Sequence, residues 1–301
     1  MRPSPPNPAK QRIQLILDTD IGGDIDDTWA LAMIFGCPQL DLRLVTTAFD
    51  DTYAKARLVA KMLGRTGCEN VPVGVGVRTS DCPMYQAAWL GDYDLDSFRG
   101  VVLADGVGAL IEAVHNSPTP PVILAIGPLR NLAEALRRDP SIADRARVVA
   151  MAGGVRTGYG PASAPEPECN IVSDIGSARA VLAAPWDVTL VPLDACNDVR
   201  LKGDAYRAVV DSPSPWAKVV IENYDTWALR SQHPADSSSI LFDTAAAYAV
   251  FDDSLFVTED IRLSIDDRGV TVPDPGGKLC RCLMGWRDYP AFERFLVKSL
   301  Q

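Results

Sequence analysis

Asp18, Asp20, Asp24, Asp26 and Asp27 fall within ten residues, directly after the apolar run Ile13–Leu17. Five carboxylates this close repel one another, and a bound cation is the simple way to offset the repulsion. Hard oxygen donors select calcium or magnesium over zinc. The plain alternative is a solvated acidic turn in which Asp26 and Asp27 cap a helix, although a strand feeding straight into five carboxylates is not a usual surface turn. Spacing excludes several other motifs. An EF-hand would need Glu at the twelfth position from Asp18, where Trp29 stands. No GK[ST] closes a phosphate-binding loop, and no GxGxxG marks a dinucleotide site. A DxD after a strand also opens some phosphatases that use an aspartyl nucleophile, but the later lysine and acidic motif of that class are not evident.

The elements that must hold these residues follow from the apolar pattern. Ile13–Leu17, Leu42–Thr47, Val71–Val77, Val122–Ile126, Val148–Met151 and Val188–Leu193 read as strands. Helical patterns separate them at Thr28–Phe35, Tyr53–Leu63, Gly106–Val114, Leu129–Arg138 and Ser173–Leu182. Residues 78–103 and 152–170 read as long loops. Helices follow near 202–210, 215–229 and 244–250, then an antiparallel hairpin over 256–285 and a last helix over Tyr289–Leu300. The alternation predicts one α/β domain over residues 13–301, with a mostly parallel central sheet, helices on both faces and a C-terminal β-hairpin. In such sheets ligands bind beyond the carboxyl ends of the strands, which is where the aspartates stand.

Composition narrows the partners. Lys plus Arg number 29 and Asp plus Glu 39, a formal charge of −10, which argues against nucleic acid as the main partner. The seven cysteines are scattered without a CxxC and read as reduced thiols. Residues 1–12 are polar and proline-rich, a loose tail rather than a signal peptide, and no apolar run approaches the roughly 20 residues of a membrane span. A cytoplasmic protein with no membrane partner is expected.

ILDTDIGGDIDDTWAL resembles the amino-terminal signature of the inosine-uridine preferring nucleoside hydrolases, calcium-dependent N-ribohydrolases. VILAIGPLRNLAEAL, MAGG…PECNIVSDIGSARAVL, LVPLDA and ILFDTAAAYAVFDDSLF are similar to later segments of that family, in order and spacing. The resemblance covers roughly residues 13–260. It implies hydrolysis of the N-glycosidic bond of a small-molecule ribonucleoside, in a homo-oligomer (dimer or tetramer), with calcium held by Asp20, Asp27, Asp243 and the carbonyl of Ile126. Asp20 would also take a proton from the attacking water. Asp26, Glu168 and Asn170 would hold ribose hydroxyls, with Met151 beside the sugar. Read without the resemblance, Asp243 would cap a helix beginning at Thr244, and Glu168 and Asn170 would be loop polars.

The chain departs from the family at several positions. Ile21 replaces a proline, and the loop before Asp26 is two residues longer, which makes Asp24 a further candidate for a metal or ribose role. Asp50-Asp51 stands where Gly-Asn is common, and Asp51 is expected to replace the asparagine near the sugar. Tyr159-Gly160 falls where another Gly-Asn is expected. Phe242 occupies the position of the histidine that protonates the leaving base, beside the sugar-binding set. Of the two histidines, His115 ends a helix as a surface cap and His233 lies in a polar loop. Trp89, Tyr224, Trp227 and His233, together with Tyr85, are the candidates for the leaving-group side. The alternatives are a ribosyl hydrolase acting on a modified nucleoside or other riboside, and a non-catalytic calcium-dependent nucleoside or ribose binder. Asp20 favours an enzyme, since diol binding alone needs no base.

Overall fold

The computed structural model describes residues 12–231 and 236–301, so most of the expected tail and His233 lie outside the described residues. Ten strands form one sheet: β1 (Ile13–Thr19), β2 (Leu40–Thr47), β3 (Val73–Val75), β4 (Val102–Leu103), β5 (Val122–Ala125), β6 (Arg147–Met151), β7 (Val188–Val191), β8 (Phe256–Ile265), β9 (Thr271–Pro273) and β10 (Lys278–Trp286). Their spatial order is β4-β3-β2-β1-β5-β6-β7-β10-β8-β9. Every pairing from β4 across to β7 is parallel. The chain runs outward from β1 on one side and from β5 on the other, so a topological switch point lies between them.

The strands are apolar on both faces because helices cover both. Leu15 and Leu17 of β1 enter one core and Ile16 the other; Val122 and Leu124 of β5 likewise oppose Ile123. Truncating a fully buried leucine such as Leu17 to alanine would cost about 2–5 kcal/mol. Helix Asp26–Phe35 is buried over nearly its whole length. It packs against helices Phe242–Ala249 and Tyr289–Leu300. Gly36 leaves no room for a side chain, because the backbone of Ser299 lies directly over its Cα.

The expected loops contain short elements. Residues 78–103 hold helix Ala87–Leu90, a 3₁₀ turn at Leu95–Ser97 and β4. Residues 152–170 run into helix Cys169–Val172. The expected C-terminal hairpin is an antiparallel trio that joins the main sheet: β10 pairs antiparallel with β8 and parallel with β7. Helix Phe242–Ala249 begins two residues earlier than expected, so Asp243 lies inside its first turn and caps nothing. His115 meets Asp139, with Nε2 and Oδ2 2.6 Å apart.

Candidate active site

The carboxyl ends of β1, β2, β5 and β6 open into a cavity of about 280 Å³ at the switch point. β1 delivers Asp20. The turn after it delivers Asp26 and Asp27 at the start of helix Asp26–Phe35, whose N-cap is Ile25 with no side-chain bond. The alternative in which Asp26 and Asp27 merely cap the helix therefore fails. β5 contributes the Ile126 backbone and β6 contributes Met151. Gly127 is required here: a Cβ on it would lie 2.8 Å from Asp20 Cβ and 2.9 Å from its Oδ1. Asp243 enters from helix Phe242–Ala249 on the far side of the sequence.

Asp26, Asp27 and Asp243 are buried, and one carboxylate oxygen from each lies within 4.8 Å of the other two. Burial pushes all three well above the usual carboxylate range, and repulsion from neighbouring aspartates pushes further: Asp24 and Asp20 on Asp26, Asp20 and Asp26 on Asp27, and Asp26, Asp27 and Asp20 on Asp243. Asp26 stands against Asp243, and its charge is one cause of the rise at Asp243. Asp27 accepts from the Thr19 hydroxyl. Asp20 is also raised by burial, against the pull of Lys55, whose Nζ donates to the Asp20 carbonyl at 2.7 Å. Beneath them, Asp18 accepts from Thr46 Oγ1 at 2.5 Å and Asn131 Nδ2 at 2.7 Å, while its Oδ2 is buried without a partner. Burial raises it to about 6. The set is all oxygen, acidic and held apart from bulk water, and it fits a hard divalent cation. Asp26 therefore joins Asp27 and Asp243 in the tightest group, whereas Asp20 lines the same cavity outside that group.

Glu168 and Asn170 both line the cavity, from helix Cys169–Val172. Glu168 caps that helix, accepting from the backbone N–H of Asn170 at 2.8 Å and Ile171 at 3.2 Å, and it also accepts from Gly153 at 2.9 Å. Burial raises it, and those backbone bonds oppose the rise. Asn170 Nδ2 donates to the Met151 carbonyl at 3.1 Å and approaches the Ile126 carbonyl at 3.4 Å.

Asp51 does not reach the cavity. It caps helix Thr52–Thr66 through Ala54 N at 3.0 Å and meets Arg78 at 3.3 Å. Asp50 faces the cavity instead, because Phe49 and Asp50 adopt consecutive left-handed conformations, φ 61° and 52°. Thr79 Oγ1 accepts from Asp50 N, and Ser80 Oγ donates to Asp50 Oδ1, each at 2.7 Å. Trp89, Tyr224 and Trp227 are buried away from the cavity. Trp89 packs under the Lys61 ammonium, 4.4 Å from its ring centre. Tyr224 packs edge-on to Trp29 with centroids 5.8 Å apart and lies 5.7 Å from Trp227, so these rings are core. The aromatic side chains that line the cavity are Phe49, Tyr85, Tyr159 and Phe242. Phe242 sits edge-on to Tyr159, centroids 6.1 Å apart. Asp24 lines the opening and accepts from Ile25 N at 2.7 Å. Lys55, Asp50 and Cys169 were not singled out in the sequence as site residues. The left-handed turn that aims Asp50 inward has no sequence signal, since neither residue is glycine.

Fold and site together define an α/β enzyme with an acidic small-molecule pocket at its switch point. The sequence profile of the family described as inosine-uridine preferring nucleoside hydrolase matches residues 15–292. Uridine nucleosidase 1 of Arabidopsis thaliana is 28% identical over 86% of this chain and 80% of its own. The inosine-uridine preferring nucleoside hydrolase of Leishmania major is 26% identical over 96% of this chain and 97% of its own. Among solved structures, a plant nucleoside hydrolase superposes with a TM-score of 0.83 at 23% identity, covering 96% of this chain and 98% of that one. The chain belongs to the inosine-uridine preferring nucleoside hydrolase family, and it is a nucleoside hydrolase that cleaves the N-glycosidic bond of ribonucleosides.

Proposed function

We propose that the reaction depends on calcium held by Asp27, Asp243, Asp20 and the Ile126 carbonyl, with Asp26 close enough to share either the ion or the ribose. The observation that carries this reading is the convergence of three buried carboxylates from two distant segments within 4.8 Å. Calcium bound there would engage the ribose 2′- and 3′-hydroxyls and make a bound water more acidic. Asp20, at the end of β1, takes a proton from the water that attacks C1′. As the glycosidic bond breaks, positive charge develops on the ribosyl ring, and the surrounding carboxylates stabilise it. Asn170 holds a ribose hydroxyl. Glu168 gives its oxygens largely to backbone N–H groups, so its chief contribution is to fix the loop and add negative charge beneath the sugar. Met151 packs beside the ring. Asp50 takes the place first assigned to Asp51.

The base leaves toward Phe242, which cannot donate a proton. That residue favours a substrate whose leaving group needs little acid assistance, a modified nucleoside or another riboside, as the second reading. We further propose a cytoplasmic homo-oligomer, dimer or tetramer. Among the described residues no helix is long and apolar enough to cross a membrane. The test is release of free ribose from a panel of ribonucleosides, with chelator and after calcium is restored. Chelation should abolish turnover and calcium should recover it. Full activity in metal-stripped protein would sink the metal reading, and calcium-dependent ribose binding without turnover would make the protein a binder.

A further inference from the structure

Lys55 is 2% exposed and lines the acidic cavity. Seven carboxyl side chains line that cavity beside this one ammonium, among the described residues. Local structure does not explain the lysine, because it lies in the first turn of helix Thr52–Thr66, where the helix dipole favours anions over cations. Its bonds are also unlike those of an ordinary ion pair. Nζ donates to the carbonyl of Asp20 at 2.7 Å and of Ala48 at 3.2 Å, and it stands 5.8 Å from the centre of the Phe49 ring. Those carbonyls lie just beyond β1 and β2, so one side chain ties the two strand ends together beneath the cavity. A buried ammonium is costly unless its surroundings are negative. Here it offsets the field of the carboxylates while leaving their oxygens free for other partners.

We infer that Lys55 is a positioning residue and a fixed counter-charge to the aspartate cluster, holding the site together before metal binds and weakening its affinity for the metal. The inference rests on the metal reading above. Its sign follows from Coulomb's law: an ammonium and a divalent cation in one pocket repel, so each is held less tightly in the presence of the other.

The experiment compares wild type with Lys55→Gln, which keeps a donor and removes the charge, and Lys55→Arg, which keeps the charge. Calcium is titrated calorimetrically into chelator-stripped protein, and melting is followed with and without calcium. In Lys55→Gln the stripped protein should melt below stripped wild type, the calcium-loaded forms should differ less, and the calcium Kd should tighten at least about fivefold. Lys55→Arg should hold the Kd within about twofold even where its bulk lowers kcat. An unchanged or weaker Kd in Lys55→Gln overturns the counter-charge. Should Lys55→Gln fail to fold without metal, Lys55→Arg decides, and a shift of about tenfold in its Kd overturns the inference. Should wild type bind no calcium, the metal reading fails and melting alone judges Lys55. The counter-charge then stands if Lys55→Gln melts below both wild type and Lys55→Arg, and falls if all three melt together.

Discussion

In the layer beneath the cavity floor, Asn131 donates to Asp18 at 2.7 Å and to the Thr47 carbonyl at 3.0 Å, and it accepts from Val77 N at 2.8 Å. Asp18, Asp27 and Asn131 are buried, and each is held by side chains from other strands or loops. The rim is different. Tyr85 is 59% exposed and Tyr159 37% exposed, and both stand on connecting segments rather than strand ends. The floor is polar, acidic and over-determined, while the rim is aromatic and open to water. Under the proposed function the floor would take the part of the substrate that is constant, the ribose, and the rim the part that varies, the base.

That contrast sets the order of expected effects. Asp20→Ala removes a floor residue with a proposed proton-transfer role. We expect kcat to fall at least 1,000-fold, about 4 kcal/mol in the barrier, with the circular dichroism spectrum unchanged. Retention of more than about a tenth of wild-type turnover, a loss of only ~1.4 kcal/mol, would remove Asp20 from the mechanism. Deleting the 2′-hydroxyl probes the same floor from the substrate side. A polar site left unpaired rejects an analogue strongly, so 2′-deoxyinosine should react at least ~100-fold more slowly than inosine. Comparable rates would take the diol out of the model of binding.

The pH dependence of the metal-free fold tests the floor's electrostatics. Asp18 is raised from 3.8 to about 6. A carboxyl raised on folding adds stability that is fully present below its unfolded value and is lost as pH rises through its folded value. Stripped protein should therefore lose stability as pH rises from about 4 through 6, by up to ~3 kcal/mol from Asp18. Asp26, Asp27 and Asp243 extend that loss upward. Calcium should flatten the profile, since it replaces the protons they hold. In melting curves of the stripped protein, Asp18→Asn should lose the lower part of the slope. A profile identical to wild type would show that Asp18 is not the group responsible.

The smallest effects separate neighbours. Asp50→Ala should lower kcat/KM about tenfold, by removing a cavity carboxylate held by Ser80. Asp51→Ala should instead cost about 1 kcal/mol of stability through the lost cap and leave kcat/KM within about twofold. The opposite pattern would restore Asp51 to the site and undo the division between floor and scaffold at this turn.

Much of this was legible in the sequence, for physical reasons that also mark where legibility ends. The buried runs of β1, β5 and β6 have an apolar pattern set by helices on both faces, and the aspartate cluster declares itself by charge density. β4 is two residues long and leaves no periodicity to read. Asp50 and Asp51 are chemically identical, and only the backbone turn decides which one faces inward. Lys55 sits near the start of an otherwise ordinary helical pattern, where a lysine usually lies in water. Its burial is a tertiary fact. Trp89, Tyr224 and Trp227 look the same in sequence as rim aromatics, because a large ring serves core and binding surface equally well.

Helix Tyr289–Leu300, packed on the helix that carries Asp26 and Asp27, also bears on how the enzyme matures. The two lie near opposite ends of the described sequence, so their contact closes a loop spanning nearly all of it. Such contacts carry a large closure entropy and belong to the slow part of folding. Damage near residue 292 is therefore expected to reach the segment that carries Asp26 and Asp27 through helix packing, although the last helix lines no part of the cavity.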